Sequence, residues 1–246
     1  PKKGLPSLSE VGDAVKASGL KDKLIFTGIA LAVFRLGAQI PVWGVNPQAV
    51  GAFANTQLLG FLDMFSGGAL TSLSILALGI GPYITASIIM QLMTVVIPRL
   101  EELQKEEGEA GRRKIGQITR YVTVGLALVQ AVLVIRVFSS IPNILYPGVE
   151  PMLFFPLAVL SLVAGAIFAL WLSELITERG VGNGGSLLIF VGILSSIPFY
   201  ARQTAQLVAG DPERSFNLAL LLAIYVAIIG FIIVLQEAVR KVYIVN

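Results

Sequence analysis

Between Asp63 and Arg99 the chain carries no charge: Met64 to Pro98 form one uninterrupted uncharged segment. A single simple transmembrane helix needs about 20 mainly apolar residues, and this run is longer. It is also broken, first by Gly67-Gly68 and then by Gly79-Ile80-Gly81-Pro82. Lipid-exposed backbone cannot be irregular, because its N–H and C=O groups would lack partners. The breaks must therefore face protein or a water-filled cavity.

The surroundings of this run are apolar too. Mean hydropathy is +0.82, and charged residues make up 13% of the chain, about half the usual level of soluble domains. The reading is an all-α membrane protein, a polytopic helical bundle. The spacing predicts six spans, near 24–42, 73–97, 121–138, 152–175, 186–200 and 216–236, with a short apolar helix at 58–65. The segment 98–120 reads as a charged loop and 201–215 as a polar one. Residues 1–23, with an apolar face of Leu8, Val11, Val15 and Leu20, read as an amphipathic segment on the membrane surface or as a soluble tail. No secretory signal peptide is expected, since the first 23 residues are polar.

Six spans put both termini on one side. Fourteen Lys and Arg fall on that side, and only Arg136, Arg202 and Arg214 fall in the other loops. The bias predicts a cytoplasmic N-terminus, and the helix at 58–65 then lies outside. Arg35 sits within the first span. It is either a functional intramembrane charge or a side chain that reaches the headgroups near Trp43 by snorkelling.

What is missing is equally restrictive. The chain has no Cys and no His, which removes disulfides, thiolate nucleophiles and Cys/His metal sites. Apart from Glu174 at the very end of the fourth, the predicted spans lack carboxylates, so ion-coupled transport has no evident relay. Glu174, Glu178 and Arg179 read as a polar helix end. Gly180-x-Gly182-x-Gly184 lacks the Lys-Ser/Thr pair and the preceding strand of a phosphate loop. No enzymatic chemistry, cofactor or metal is expected. A net charge of +3 gives no ground for nucleic-acid binding.

Absence of chemistry inside the membrane favours a conduit. Ile80 and Ile84 share an i, i+4 face and would make an apolar constriction that excludes water. Tight helix packing by Gly79 and Gly81 explains the same residues, and this segment alone favours it slightly. A solute transporter half and a scaffold without a conduit are the other functional readings.

Four ordered stretches then resemble one family. Phe65-Ser66-Gly67-Gly68-Ala69-Leu70, followed by Ala77-Leu78-Gly79-Ile80-Gly81-Pro82-Tyr83-Ile84, resembles the plug and second span of SecY. Phe34-Arg35-Leu36-Gly37 with Ile40-Pro41 resembles the end of its first span. Glu106 to Lys114 resembles its first large cytoplasmic loop, and Ile176 to Gly184 its turn into span five. The loop and turn are similar to cyanobacterial or plastid versions.

The resemblance implies a protein-conducting channel subunit of the Sec translocon. It would have ten spans in two inverted halves, of which this chain supplies the first half (24–200) and span six (216–246). Four more spans and a large basic loop would follow Asn246. It implies a plug over 58–73, with Leu58, Leu59, Phe61, Leu62, Met64, Phe65, Gly67 and Gly68. It implies a pore ring drawing Ile80 and Ile84 from span two and Gly185 and Ile189 from span five, with spans two and three as one wall of a lateral gate. A bulkier apolar residue commonly stands at Gly185 in the family, so here either the six-residue ring is not tight or neighbours fill the gap. Implied partners are SecE- and SecG-like subunits, a ribosome or the SecA motor, signal peptides, nascent chains and the bilayer. Arg112, Arg113, Lys114, Arg240 and Lys241 would be the cytoplasmic contacts. The implied location is a bacterial plasma membrane or a thylakoid membrane.

Overall fold

A computed structural model describes residues 19–46, 48–50, 66–105, 108–209 and 212–237. Seven helices occur among them: α1 (Leu20–Gly37), α2 (Gly81–Val96), α3 (Pro98–Lys105), α4 (Gly108–Ser139), α5 (Pro151–Arg179), α6 (Gly184–Val208) and α7 (Pro212–Glu237). The chain divides into two compact units, Pro1–Ser196 and Ile197–Asn246.

Prolines set several of the helix boundaries. Pro82 lies in the first turn of α2 and Pro151 in that of α5, where a missing N–H costs nothing. Ile97, held extended by the following Pro98 (φ −99°, ψ 111°), separates α2 from α3. Among the described residues, four helices are long and apolar enough to cross a membrane: Gly108–Ser139, Pro151–Arg179, Gly184–Gln206 and Ser215–Gln236. α1 has 18 residues but carries Lys21, Asp22, Lys23 and Arg35.

The second expected span needs correction. Its helix begins only at Gly81 and has 16 residues, a rise of about 24 Å against a hydrocarbon core of about 30 Å. The preceding 67–80 are turns. Leu73 (φ 41°) and Gly79 (φ 50°) turn left-handed there, which a continuous helix forbids. The freed backbone groups find partners in the chain that follows α1. The Val42 N–H donates to the Leu73 carbonyl (2.9 Å), and the Ile75 N–H to the Ile40 carbonyl (3.0 Å). This is the protein-facing irregularity that the apolar run requires.

The polar segments also differ from expectation. Much of 98–120 is helical, as α3 and the first turns of α4, and α6 continues through Val208 into the stretch expected as a loop. Hydropathy marks where a helix meets lipid, not where its hydrogen bonds stop.

In the first unit, α4 packs on α2, α3 and α5, and α1 packs on α5. Two buried clusters result. One joins Val42, Val45 and Leu73 to Ala127, Ala131 and Ile135 of α4 and Ala158 and Leu162 of α5. The alanines permit the close helix approach common in membranes. The other joins Phe34, Leu76 and Ile80 to Leu172, Ile176 and Leu188. In the second unit, the apolar part of α7, Ser215–Gln236, has the length and composition of a span.

Candidate pore wall

The turn segment ends at Ile80, which caps α2 without a side-chain hydrogen bond (φ −91°, ψ 2°). The Ile84 N–H donates to the Ile80 carbonyl at 3.2 Å, so the two side chains stay one turn apart although Ile80 precedes the helix. Both border a cavity of about 520 Å³, which Ile189 and Leu188 of α6 border from another side. Phe34 of α1, Leu133 of α4 and Leu70 of the turn segment complete much of an apolar wall. Ile80, Ile84 and Ile189 thus border one cavity.

Gly185 is placed differently. It is not among the residues bordering the cavity. A Cβ built on it would lie 3.5 Å from Ile80 Cδ1, 3.5 Å from Ser173 Oγ and 3.2 Å from Asn183 Oδ1. Ile80 therefore occupies the space beside this glycine. Leu188, three residues on and 1% exposed, supplies the apolar surface from α6. Its neighbour Gly184 is under a harder constraint, because a Cβ there would overlap the Ser173 carbonyl oxygen. Gly185→Ala is expected to change stability by less than about 1 kcal/mol, whereas Gly184→Ala forces backbone apart and costs about 3 kcal/mol. Thermal melts in detergent check the pair, and equal effects at the two positions would contradict this packing.

Two polar residues of the wall escape the sequence reading: Gln130 of α4 and Ser66 both border the cavity. Gln130 was visible as an amide in the middle of an apolar span, but only the fold shows which way it faces.

Arg35 turns inward. Its Nη1 donates to the carbonyl of Gly67, which settles its direction in favour of protein rather than headgroups. Gly67 has φ 65° and no room for a side chain, since a Cβ would meet the Gly192 carbonyl oxygen at 2.8 Å and Ser195 Oγ at 2.9 Å. The end of the expected plug is therefore held between α1 and α6. The residues expected to form a plug, Leu58, Leu59, Phe61, Leu62, Met64 and Phe65, lie outside the described residues, as do Arg240 and Lys241.

The glycine turn after α5 consumes its own amides. The Val181 N–H donates to Thr27 Oγ1 (3.1 Å), Gly184 to Thr177 Oγ1 (2.9 Å) and Ser186 to Asn183 Oδ1 (3.1 Å). These bonds fasten the start of α6 to α5 and α1, and they leave those three donors unavailable to a phosphate. Arg120 Nε donates to Glu174 Oε1 at 2.8 Å, joining α4 to α5. Arg112, Arg113 and Lys114 are exposed on the first turns of α4. Among the described residues no cluster of acidic side chains could hold a metal ion.

A family model described as SecY matches residues 74–246. The chain belongs to the SecY family. It is 46% identical over 237 residues to the protein translocase subunit SecY of Synechococcus elongatus, covering 94% of this chain and 53% of that protein. The chain thus spans about half the length of the curated relatives it matches. Sec61 in a canine ribosome-channel complex from the endoplasmic reticulum has the same fold, with TM-score 0.53, 23% identity, and coverage of 92% of this chain and 49% of that one. A SecY structure concerned with the plug domain, the closed state of the translocation channel and the membrane seal matches with TM-score 0.50 and 25% identity, covering 72% of this chain and 36% of that one. Membership in the SecY family, with its apolar helices, makes this chain a multi-pass, all-α membrane protein.

Proposed function

We propose that this chain forms the first half of a protein-conducting channel subunit, one that passes secretory polypeptides across a membrane and releases hydrophobic segments sideways into it. The observation that carries this reading is the convergence of Ile80, Ile84 and Ile189 on one apolar cavity, in a chain of the SecY family. A translocating polypeptide is chemically varied, so its path should bind nothing strongly. An apolar ring yields to a strand yet resists water and ions by dewetting. A hydrophobic signal segment prefers lipid, so the wall must also open laterally, between α2, α4 and a second half. No catalytic role is assigned to any residue.

Several finer points belong to the same reading. Residues 58–73 act as a plug, with 66–73 as its described base. Arg112, Arg113 and Lys114, with Arg240 and Lys241, face a cytoplasmic partner, a ribosome or the SecA motor. SecE- and SecG-like subunits pack outside the bundle. The N-terminus is cytoplasmic, and the membrane is a bacterial plasma membrane or a thylakoid membrane.

The test uses the full-length subunit in its membrane. Photocrosslinkers placed at positions 80, 84 and 189 are expected to capture a stalled secretory chain. The control is Leu160, which is 65% exposed on α5. Capture no higher at the three positions than at Leu160 would sink the pore assignment.

A further inference from the structure

A second cavity, of about 400 Å³, lies where α4 ends and α5 begins. Arg136, Ser139 and Pro151 border it, and Leu145, Phe154 and Phe155 form apolar surface within it. Arg136 sits in the last turn of α4, three residues before the end of one span candidate. Pro151 opens the next. The cavity is therefore at the level where hydrocarbon gives way to headgroups, on the far side of the molecule from the basic first turns of α4.

Its chemistry is divided in two. Phe154 is buried and Phe155 half-buried, offering an aromatic surface to an acyl chain. Arg136 is exposed, and among the described residues no carboxylate pairs with its guanidinium. Glu150, next to Pro151, is the acidic residue nearest in sequence, and it caps α5 through its backbone, with no side-chain cap bond. The Ser139 hydroxyl already donates to the Ile135 carbonyl (2.7 Å), so Arg136 is the strong donor of the cavity. Next to its lining residues in the chain, Val137, Met152 and Leu153 are exposed apolar side chains, Met152 to 90%. A water-soluble anion would gain nothing from that surround.

We infer that this cavity is a binding site for an anionic phospholipid, with the phosphate on Arg136 and an acyl chain along Phe154 and Phe155. A guanidinium suits a phosphodiester because its planar fork gives two parallel donors. The helix C-terminus adds negative field that keeps the arginine near its own turn. The site is independent of the conduit reading, since none of its lining residues borders the cavity at Ile80.

The experiment is native mass spectrometry of the full-length subunit with phosphatidylglycerol, with diacylglycerol of the same chains, and with inorganic phosphate. Wild type is expected to retain phosphatidylglycerol about tenfold better than diacylglycerol, the worth of one charge-assisted contact. Arg136→Gln should abolish that preference, and Arg136→Lys should restore part of it. Phe155→Ala should weaken both lipids alike. Equal retention of phosphatidylglycerol by wild type and Arg136→Gln would overturn the site. Displacement of the lipid by inorganic phosphate would overturn it in favour of a free-anion site. Melting temperatures of the variants, expected to stay within a few degrees of wild type, separate lost binding from lost folding.

Discussion

Replacing Gly165 with alanine is expected to destabilise the first unit by about 3 kcal/mol or more, at the upper end of overpacking effects. A Cβ at this position would overlap the carbonyl oxygen of Ile75 and lie 2.7 Å from its carbon. Both atoms are backbone, so no rotamer change relieves the clash. The Ile75 backbone is not free to retreat, because the Leu76 N–H of the clashing peptide donates to Ser74 Oγ (3.2 Å), the Ile75 N–H of the preceding one donates to the Ile40 carbonyl, and Ser74 and Leu76 are 0% and 1% exposed. α5 must then separate from the turn segment, opening the buried cluster of Leu76, Ile80 and Leu172. Gly125→Ala on α4 is the control. Nothing lies within 4 Å of its added Cβ, and no loss is expected. Thermal melts of the two variants check the contrast. Because the turn segment ends at Ile80, a partly folded Gly165→Ala subunit should also lose crosslinking at position 80 before it loses crosslinking at 189. A Gly165→Ala protein that melts like wild type would show that α5 does not approach Ile75 as described.

Gly165 also shows where sequence reading stops. The breaks at Gly67-Gly68 and Gly79 to Pro82 were legible, because an uncharged run that long must bend and glycine and proline say where. That the bend would be a buried run of turns, rather than a kink in a long helix, depended on Ile40 and Val42 offering backbone partners more than thirty residues away. No periodicity within 64–98 carries that information, and Leu73, which adopts φ 41°, is a residue from which no turn is expected. The same limit applies to Gly185. Its missing side chain was visible, but its replacement by Ile80 required a contact across 105 residues. Helical spacing could place only Ile80 and Ile84 on one face, whereas Ile189, which borders the same cavity, came from the family resemblance alone. The helical character of 98–120 was missed for a different reason: charge argues for water around a segment, and a solvated helix is as polar as a solvated loop.

Removing the guanidinium of Arg35 is expected to loosen the base of the proposed plug and raise ion leak through the proposed channel. Arg35 donates to the Gly67 carbonyl, and a hydrogen bond from a charged group contributes about 1.5–3 kcal/mol. The carbonyl it serves belongs to a left-handed glycine pressed against Gly192 and Ser195 of α6. The turn beyond it is closed by Ser72 Oγ and Thr71 Oγ1 on the Gly68 carbonyl (2.9 and 3.1 Å). The base is thus a preformed unit, and Arg35 is its bond to α1. If seating of residues 58–65 depends on that bond, Arg35→Gln shifts the balance between seated and displaced plug by about tenfold to a hundredfold, since each 1.4 kcal/mol is a factor of ten. Planar-bilayer conductance of the full-length subunit in its complex reads this directly. Arg35→Lys should fall between wild type and Arg35→Gln, because an ammonium keeps the charge but loses the planar fork. Deleting 58–69 sets the upper limit, since it removes the whole of the proposed seal. Two outcomes are distinguishable. If the deletion leaks and Arg35→Gln does not, the plug reading stands and the bond to Gly67 does not hold it. If neither leaks, residues 58–69 are not a seal. The expected order, wild type below Arg35→Lys below Arg35→Gln at or below the deletion, requires that one charge repays its partial burial by fixing the turn at Gly67 that the proposed plug rests on.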